Sequence, residues 1–279
     1  MRITFWGVRG SIPCPGPETA GVGGNTSCVE VRAGKSVLIF DGGTGLRMLG
    51  KRMLKEMPFT AHLFFSHVHW DHIQGFPFFD PAFVPGNVIH LYGGNIVSRT
   101  LEETLAGQMD HPSFPVHLSE MGAEMVFHSV SGVTPVEVDA GDGTKALISA
   151  APGNHPNGVW AYRVDHGGKS VVYATDTEHY AVVDPKLAKL AKGADILIYD
   201  AQYTPEEYAG QTGGLPKLGW GHSTFEEAVK LAKLAGVKKL VLYHHDPMQD
   251  DAAVAEKEKR AKALFPASEA AREGLVLEL

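Results

Sequence analysis

Residues 67–72 carry four side chains that bind metals well, and they constrain the fold of this chain more than any other stretch. They read HVHWDH and follow the apolar run 61–65, which is typical of a buried strand. At the end of a strand, side chains converge on a crevice rather than on a core. Three imidazoles and one carboxylate placed there can hold more than one divalent cation. The sequence therefore predicts a metal site at this strand end.

Further candidate ligands lie at the ends of later predicted elements. His155 lies in a turn of glycine, asparagine and proline after one predicted strand, and Asp176 and His244 each stand at the end of another. Asp200 also ends a buried strand, and His222 lies just before a capped helix. Because these five residues share the same placement, we expect them to meet at one site.

The candidate ligands divide into two groups and a bridge. Two metal ions about 3.5–4 Å apart need ligands from several loops and one ligand that joins them. We expect one ion at His67, His69 and His155, a second at Asp71, His72 and His244, and Asp176 between the two ions. No cysteine takes part, which favours two zinc ions, with manganese or iron as alternatives. A hydroxide between such ions is a nucleophile at neutral pH, and Asp71 is a candidate for orienting it.

Composition limits the classes of partner. Of the 279 residues, 44% are hydrophobic and no linker divides the chain, so we expect a single domain over residues 1–279. The net charge of −7 provides no broad basic surface for nucleic acid. No apolar run approaches membrane-spanning length, and the start reads as a strand rather than a signal peptide. We therefore expect a cytoplasmic protein with no membrane contact. Nucleic acid is a less favoured partner, and a homodimer is left open.

A long excursion separates the string at 67–72 from the later candidates. Residues from about 76–134 are rich in proline and aromatic side chains, and apolar residues recur every four positions from Val97 to Met109, which predicts a helix. We interpret this stretch as a lid-like insertion or pocket wall rather than an independent domain.

Two residues near the start of the chain have candidate roles around the site. Arg9 lies in a loop with little regular structure, and it is either a plain turn residue or a contact for the substrate or its phosphate. Asp41 opens a glycine-rich turn that lacks the Gly-Lys-Ser/Thr ending of a P-loop. We therefore interpret that turn as a tight turn, with Asp41 as a candidate partner of a metal-bound histidine.

The whole pattern resembles the metallo-β-lactamase fold superfamily. The string at 67–72 matches its HxHxDH signature, Asp176 resembles its bridging aspartate, and His155 and His244 resemble its remaining ligands. His222, within a Gly-His-Ser-Thr motif, is similar to the auxiliary histidine of the ribonuclease Z branch and of related phosphodiesterases that open cyclic nucleotides and cyclic sugar phosphates. The resemblance implies an α/β fold, a four-layer αββα sandwich with the site at one edge.

The leading functional interpretation is a dinuclear metal-dependent phosphodiesterase acting on a small nucleotide, with cyclic nucleotides included. His222 precedes a capped helix, where an anion is favoured, and is the candidate for stabilising charge or protonating the leaving group. The chain has no long glycine-rich and basic arm of the ribonuclease Z type, and Val172 stands where the family has a glutamate, so tRNA processing is disfavoured. The alternatives are a tRNA 3′ endonuclease, a lactone or thioester hydrolase, and a non-catalytic metal-binding sensor.

Overall fold

A computed structural model describes residues 1–94 and 99–279 and shows two seven-stranded sheets. The first sheet consists of β1 (Arg2–Gly7), β2 (Cys28–Ala33), β3 (Ser36–Phe40), β4 (Thr60–Phe64), β5 (Val88–Gly93), β6 (Glu124–Ser129) and β14 (Val276–Glu278). Its order is β14-β1-β2-β3-β4-β5-β6. The strands from β14 to β3 pair antiparallel and those from β3 to β6 pair parallel, so β3, β4, β5 and β6 end at one edge.

The second sheet has a similar mixed pattern. It consists of β7 (Val136–Asp139), β8 (Lys145–Pro152), β9 (Trp160–His166), β10 (Lys169–Ala174), β11 (Ile196–Asp200), β12 (Lys239–Tyr243) and β13 (Ser268–Ala270). Its order is β13-β12-β11-β10-β9-β8-β7. β10 to β13 are parallel, while β7 to β10 are antiparallel. The carboxyl ends of β10, β11 and β12 therefore lie side by side.

Helices cover the outer face of each sheet. They are α1 (Gly45–Met53), α2 (Trp70–Ile73), α3 (Leu101–Gln108), α4 (Pro185–Ala191), α5 (Pro205–Tyr208), α6 (Phe225–Ala235) and α7 (Asp251–Leu264). One apolar cluster lies between the sheets, a second under α1 and α3, and a third under α4, α6 and α7. Three cores between four layers confirm the predicted αββα sandwich.

Strand periodicity produces these separate cores. In β3, Leu38 and Phe40 face the other sheet, whereas Val37 and Ile39 face α1. Successive side chains of a strand point to opposite faces, so a strand covered on both faces is apolar throughout.

The excursion at 76–134 is partly built into the scaffold, because β5 and β6 are strands of the first sheet. Its helix begins at Leu101, where the Thr100 side chain accepts a hydrogen bond from the Glu103 N–H. Val97, which the periodicity assigned to this helix, lies outside the described residues. The lid-like role of the remaining excursion stays a prediction. In the two described ranges, no helix is long and apolar enough to cross a bilayer.

The aromatic centre of the core between the sheets provides a test of the packing. Phe40 is buried with its ring centroid 5.4 Å from that of Phe64, 5.8 Å from Tyr162 and 5.5 Å from Tyr173. We expect Phe40→Ala to lower the free energy of unfolding by about 3–5 kcal/mol, because it leaves a cavity where both sheets meet. Chemical denaturation measures this, with Phe78→Ala as the control, since Phe78 is 53% exposed. Equal losses in the two variants would contradict this account of the core.

Candidate metal centre

The candidate residues meet at the edge where parallel strands end. Asp176 follows β10, Asp200 is the last residue of β11, and His244 follows β12. The string at 67–72 follows β4 of the facing sheet, and His155 lies in the turn between β8 and β9. Both sheets therefore contribute to one site.

The first group consists of His67, His69 and His155. Their ligand atoms lie within 4.8 Å of one another. Nε2 of His155 is 3.0 Å from Nδ1 of His69, and the ring centroid of His67 is 4.5 Å from that of His69. Three ring nitrogens thus face one point.

The second group consists of Asp71, His72, Asp176 and His244, all of them buried. Oδ2 of Asp71 is 3.1 Å from Nε2 of His244 and 3.3 Å from Nε2 of His72. These two carboxylates and two imidazoles could hold a second cation.

Asp176 lies between the two groups and directs one oxygen at each. Oδ2 is 3.7 Å from Nε2 of His67 and 3.8 Å from Nε2 of His155. Oδ1 is 3.2 Å from Nε2 of both His72 and His244. This is the placement that a bridging carboxylate requires.

Hydrogen bonds on the outer side of the rings select the tautomer of four histidines. In each case one ring nitrogen faces an acceptor, which leaves the inner nitrogen with its lone pair. The pairs are His72 Nδ1 with Asp41 Oδ2 (2.8 Å), His155 Nδ1 with Gly221 O (2.8 Å), His244 Nδ1 with Gln202 Oε1 (2.9 Å) and His67 Nδ1 with Ser66 Oγ (3.0 Å).

The inner nitrogens of His67 and His72 face carboxylate oxygens of Asp176, at 3.7 and 3.2 Å, but make no hydrogen bond in the described part of the chain. Both atoms, Nε2 in each ring, are buried. Leaving such a buried polar atom unsatisfied costs about 1–3 kcal/mol. A divalent cation would satisfy both, so the residues present fit a metal centre, and the donor set of imidazoles and carboxylates suits zinc, manganese or iron.

Asp41 has the predicted contact with a histidine of the site. Its carboxylate is fully buried and accepts hydrogen bonds from the Ser66 N–H (2.7 Å), the Ser66 hydroxyl (2.7 Å) and the Tyr173 hydroxyl (2.7 Å), besides His72. Four donors on one carboxylate hold the His72 ring in a single orientation.

His222 stands next to one member of each group. Its ring centroid is 5.0 Å from that of His244 and 5.2 Å from that of His155. Nδ1 lies 2.8 Å from Oδ2 of Asp200. Burial lowers the pKa of His222, but the carboxylates of Asp200 and Asp176 outweigh it and raise the pKa to about 9. Cations in the site would act in the opposite direction.

The surroundings of Arg9 favour the first of its two interpretations, a turn residue rather than a contact for the substrate. The side chain is fully buried. Its guanidinium donates to the carbonyls of Gly23 (2.8 Å), Gln249 (2.6 Å) and Asp246 (3.1 Å). Because its donors connect these loops, Arg9 stabilises the turns behind the site.

Several residues around the site were missed by sequence reasoning. Gln202 orients His244 and Gly221 orients His155, but a neutral amide and a backbone carbonyl leave no pattern in a sequence. Glu178 accepts hydrogen bonds from the N–H groups of Gly219 (2.7 Å) and Gly221 (2.9 Å), and thereby fixes the loop before His222. In the sequence, the feature that could have pointed to Glu178 is its position two residues after Asp176.

Residues 37–245 match the sequence model of a family described as the beta-lactamase superfamily domain. The chain belongs to this family. Ribonuclease Z of Bacillus subtilis (strain 168) is 25% identical to it, over 97% of this chain and 96% of that protein. The metallo-beta-lactamase fold protein YhfI from Bacillus subtilis has a TM-score of 0.73 at 20% identity, over 100% of this chain and 98% of the other. A diphosphatase from the PhnP family has a TM-score of 0.71 at 19% identity, over 100% of this chain and 97% of that protein.

These comparisons confirm the predicted resemblance and fold. Because the two solved structures are only 20% and 19% identical to this chain, their similarity shows the fold alone. As a beta-lactamase superfamily protein with this histidine and aspartate cluster, the protein is a metal-dependent hydrolase.

Asp41→Asn tests the orientation of His72. We expect metal affinity to fall by about 10- to 100-fold, because an amide cannot accept all four hydrogen bonds and holds the ring less firmly. Asp41 has a φ of 61°, which asparagine tolerates, so the backbone is not a confounding factor. Competition with a chromophoric chelator measures the affinity, and the exposed Asp142→Asn is the control. Wild-type affinity in Asp41→Asn would exclude this role.

Asp176→Asn tests the bridge. An amide offers one carbonyl oxygen in place of two, so we expect the purified variant to retain about one of two ions. The φ of 50° at this residue is again compatible with asparagine. Metal analysis after gel filtration gives the stoichiometry, and full occupancy by two ions would argue against bridging.

Proposed function

We propose that this protein is a dinuclear metal-dependent phosphodiesterase that hydrolyses a small nucleotide phosphodiester, with cyclic nucleotides included. His67, His69 and His155 would hold one ion, Asp71, His72 and His244 the other, and Asp176 would bridge them. Two divalent ions, zinc being favoured by the ligand types, activate a water as nucleophile at neutral pH and neutralise phosphoryl charge when bound.

The main support for this proposal is the position of His222. It stands beside His155 and His244, so a phosphoryl group held by both ligand groups lies within its reach. Asp200 occupies Nδ1, which leaves Nε2 to donate a proton to the leaving oxygen or to stabilise its charge. A lactone or thioester hydrolase would share the ligands but has no need of this histidine.

Asp71 has a second proposed role besides that of a ligand. Its Oδ2 accepts a hydrogen bond from the Ser11 N–H at 2.7 Å, and this bond fixes the carboxylate next to His72 and His244. A carboxylate held in this way can orient the attacking water.

The net charge of this chain and the length of its alignment with a ribonuclease Z both favour a small substrate over tRNA. The net charge is −7. The alignment with ribonuclease Z of Bacillus subtilis extends over 312 residues, more than the 279 of this chain, so that protein has residues without a counterpart here. The name of this relative makes a tRNA 3′ endonuclease the second candidate, and such an enzyme needs phosphate contacts that make binding salt-dependent.

A substrate panel tests the proposal on zinc-loaded protein. It comprises bis-nitrophenyl phosphate, 2′,3′- and 3′,5′-cyclic nucleotides, a lactone and a precursor tRNA. We expect turnover of the phosphodiesters and none of the lactone. Cleavage of precursor tRNA together with tight, salt-dependent RNA binding would favour the endonuclease, and turnover of the lactone alone would refute a phosphodiesterase.

His222→Ala tests the proposed acid. Because the residue is not among the seven proposed ligands, we expect two bound ions as in the wild type but a kcat lowered by about 10²- to 10⁴-fold on a cyclic nucleotide. Steady-state kinetics with metal analysis of the same sample checks this. His117→Ala, at an exposed position, is the matched control. An unchanged kcat would remove His222 from the mechanism.

A further inference from the structure

A cavity of about 460 Å³ opens beside the first ligand group. His67 and His69 form part of its wall, so any group in the cavity is a direct neighbour of a phosphate at the metal centre. The other lining residues include Leu101, Val159 and Trp160, together with Asn157. The volume falls in the range of small-molecule sites, about 300–1,000 Å³.

The lining of this cavity selects for an uncharged group. Apart from the two imidazoles, none of its lining residues in the described ranges is ionisable, and the other side chains are apolar except for Ser66 and Asn157. Ser66 already donates to Asp41, and the Asn157 amide nitrogen lies 3.4 Å from Nε2 of His69, so the amide oxygen of Asn157 is the main polar group left for a ligand. A second phosphate would lose its hydration here without a basic partner, which is unfavourable. A planar ring with apolar faces and a polar edge suits this lining.

Trp160 forms a rigid wall of the cavity. Its indole packs against the backbone at Gly94 and Gly132. A Cβ added at Gly94 would collide with Nε1 of Trp160, and a Cβ added at Gly132 would lie 2.7 Å from its Cζ3. The backbone N–H of Trp160 donates to the backbone carbonyl of Ser66 at 2.8 Å, which ties this end of β9 to the residue before the ligand string. An aromatic surface fixed before binding loses little entropy when a ligand ring stacks on it.

We propose that this cavity binds the nucleobase of the substrate by stacking on Trp160, and that Trp160 is a residue that determines specificity. The inference rests on the proposed phosphodiesterase function and adds the part of the substrate that is recognised. The metal centre contacts the phosphate, which all diesters share, whereas the cavity distinguishes diesters that carry a base from those that do not.

A pair of substrates tests the inference in zinc-loaded enzyme. One is a nucleoside 2′,3′-cyclic phosphate, and the other is glycerol 1,2-cyclic phosphate, which has no base. In the wild type we expect a lower KM for the nucleotide. Trp160→Ala should raise that KM at least about fivefold more than the KM for the glycerol ester, from the lost stacking, with the larger effect on KM rather than on kcat. Trp160→Phe should retain most of the preference.

Trp6→Ala is the matched control, because Trp6 is also a partly buried tryptophan but does not line the cavity. It should not alter the ratio of the two KM values. Equal KM values for both substrates in the wild type, or an equal rise for both in Trp160→Ala, would overturn the assignment of the cavity.

Calorimetry provides a readout that does not depend on turnover. A nucleoside monophosphate should bind the zinc-loaded wild type more tightly than inorganic phosphate does, and Trp160→Ala should abolish this difference. If the difference is present but no phosphodiester is hydrolysed, the base site stands and the proposed function fails. If diesters are hydrolysed but the difference is absent, the base site fails and the function stands.

Discussion

The buried carboxylate of Asp41 connects the two sheets to the metal centre. It follows β3 of the first sheet, accepts a hydrogen bond from Tyr173 of the second sheet, and orients His72. An unpaired charge in this interior would be strongly unfavourable, so all its donors must be in place together. The arrangement of the sheets and the orientation of a ligand therefore depend on the same interaction.

Backbone strain is concentrated in the same region. Among the described residues, five that are not glycine have a positive φ: Ser11, Asp41, Asn157, Asp176 and His244. Each contributes to the metal centre, to its hydrogen bonds or to the adjoining cavity. Such conformations cost of order 1–3 kcal/mol each and persist only where the surrounding structure enforces them. At Asp41, Asp176 and His244 the ends of packed strands do so.

The candidate metal centre and the adjoining cavity differ in chemical character. The centre is built from imidazoles and carboxylates that suit cations and, through them, a phosphate. The adjoining cavity is almost uncharged and has a rigid indole as one wall. If both proposals hold, the reaction depends on residues at strand ends, whereas substrate choice depends on the cavity that Trp160 lines together with Pro152 and Gly94. Such a division permits the substrate to change without altering the metal ligands.

The sequence by itself determined the chemistry of the candidate site. A string of four metal-binding residues after a strand, with isolated histidines and aspartates at later strand ends, predicted which side chains meet, because ligand types and strand ends leave local patterns. It also predicted the four layers, through the resemblance that these residues carry. Only the tertiary structure decided what surrounds Arg9, Gln202 and Trp160. A buried guanidinium, an amide behind a histidine and an indole beside a cavity acquire their roles from residues distant in the chain, and no local pattern records such contacts.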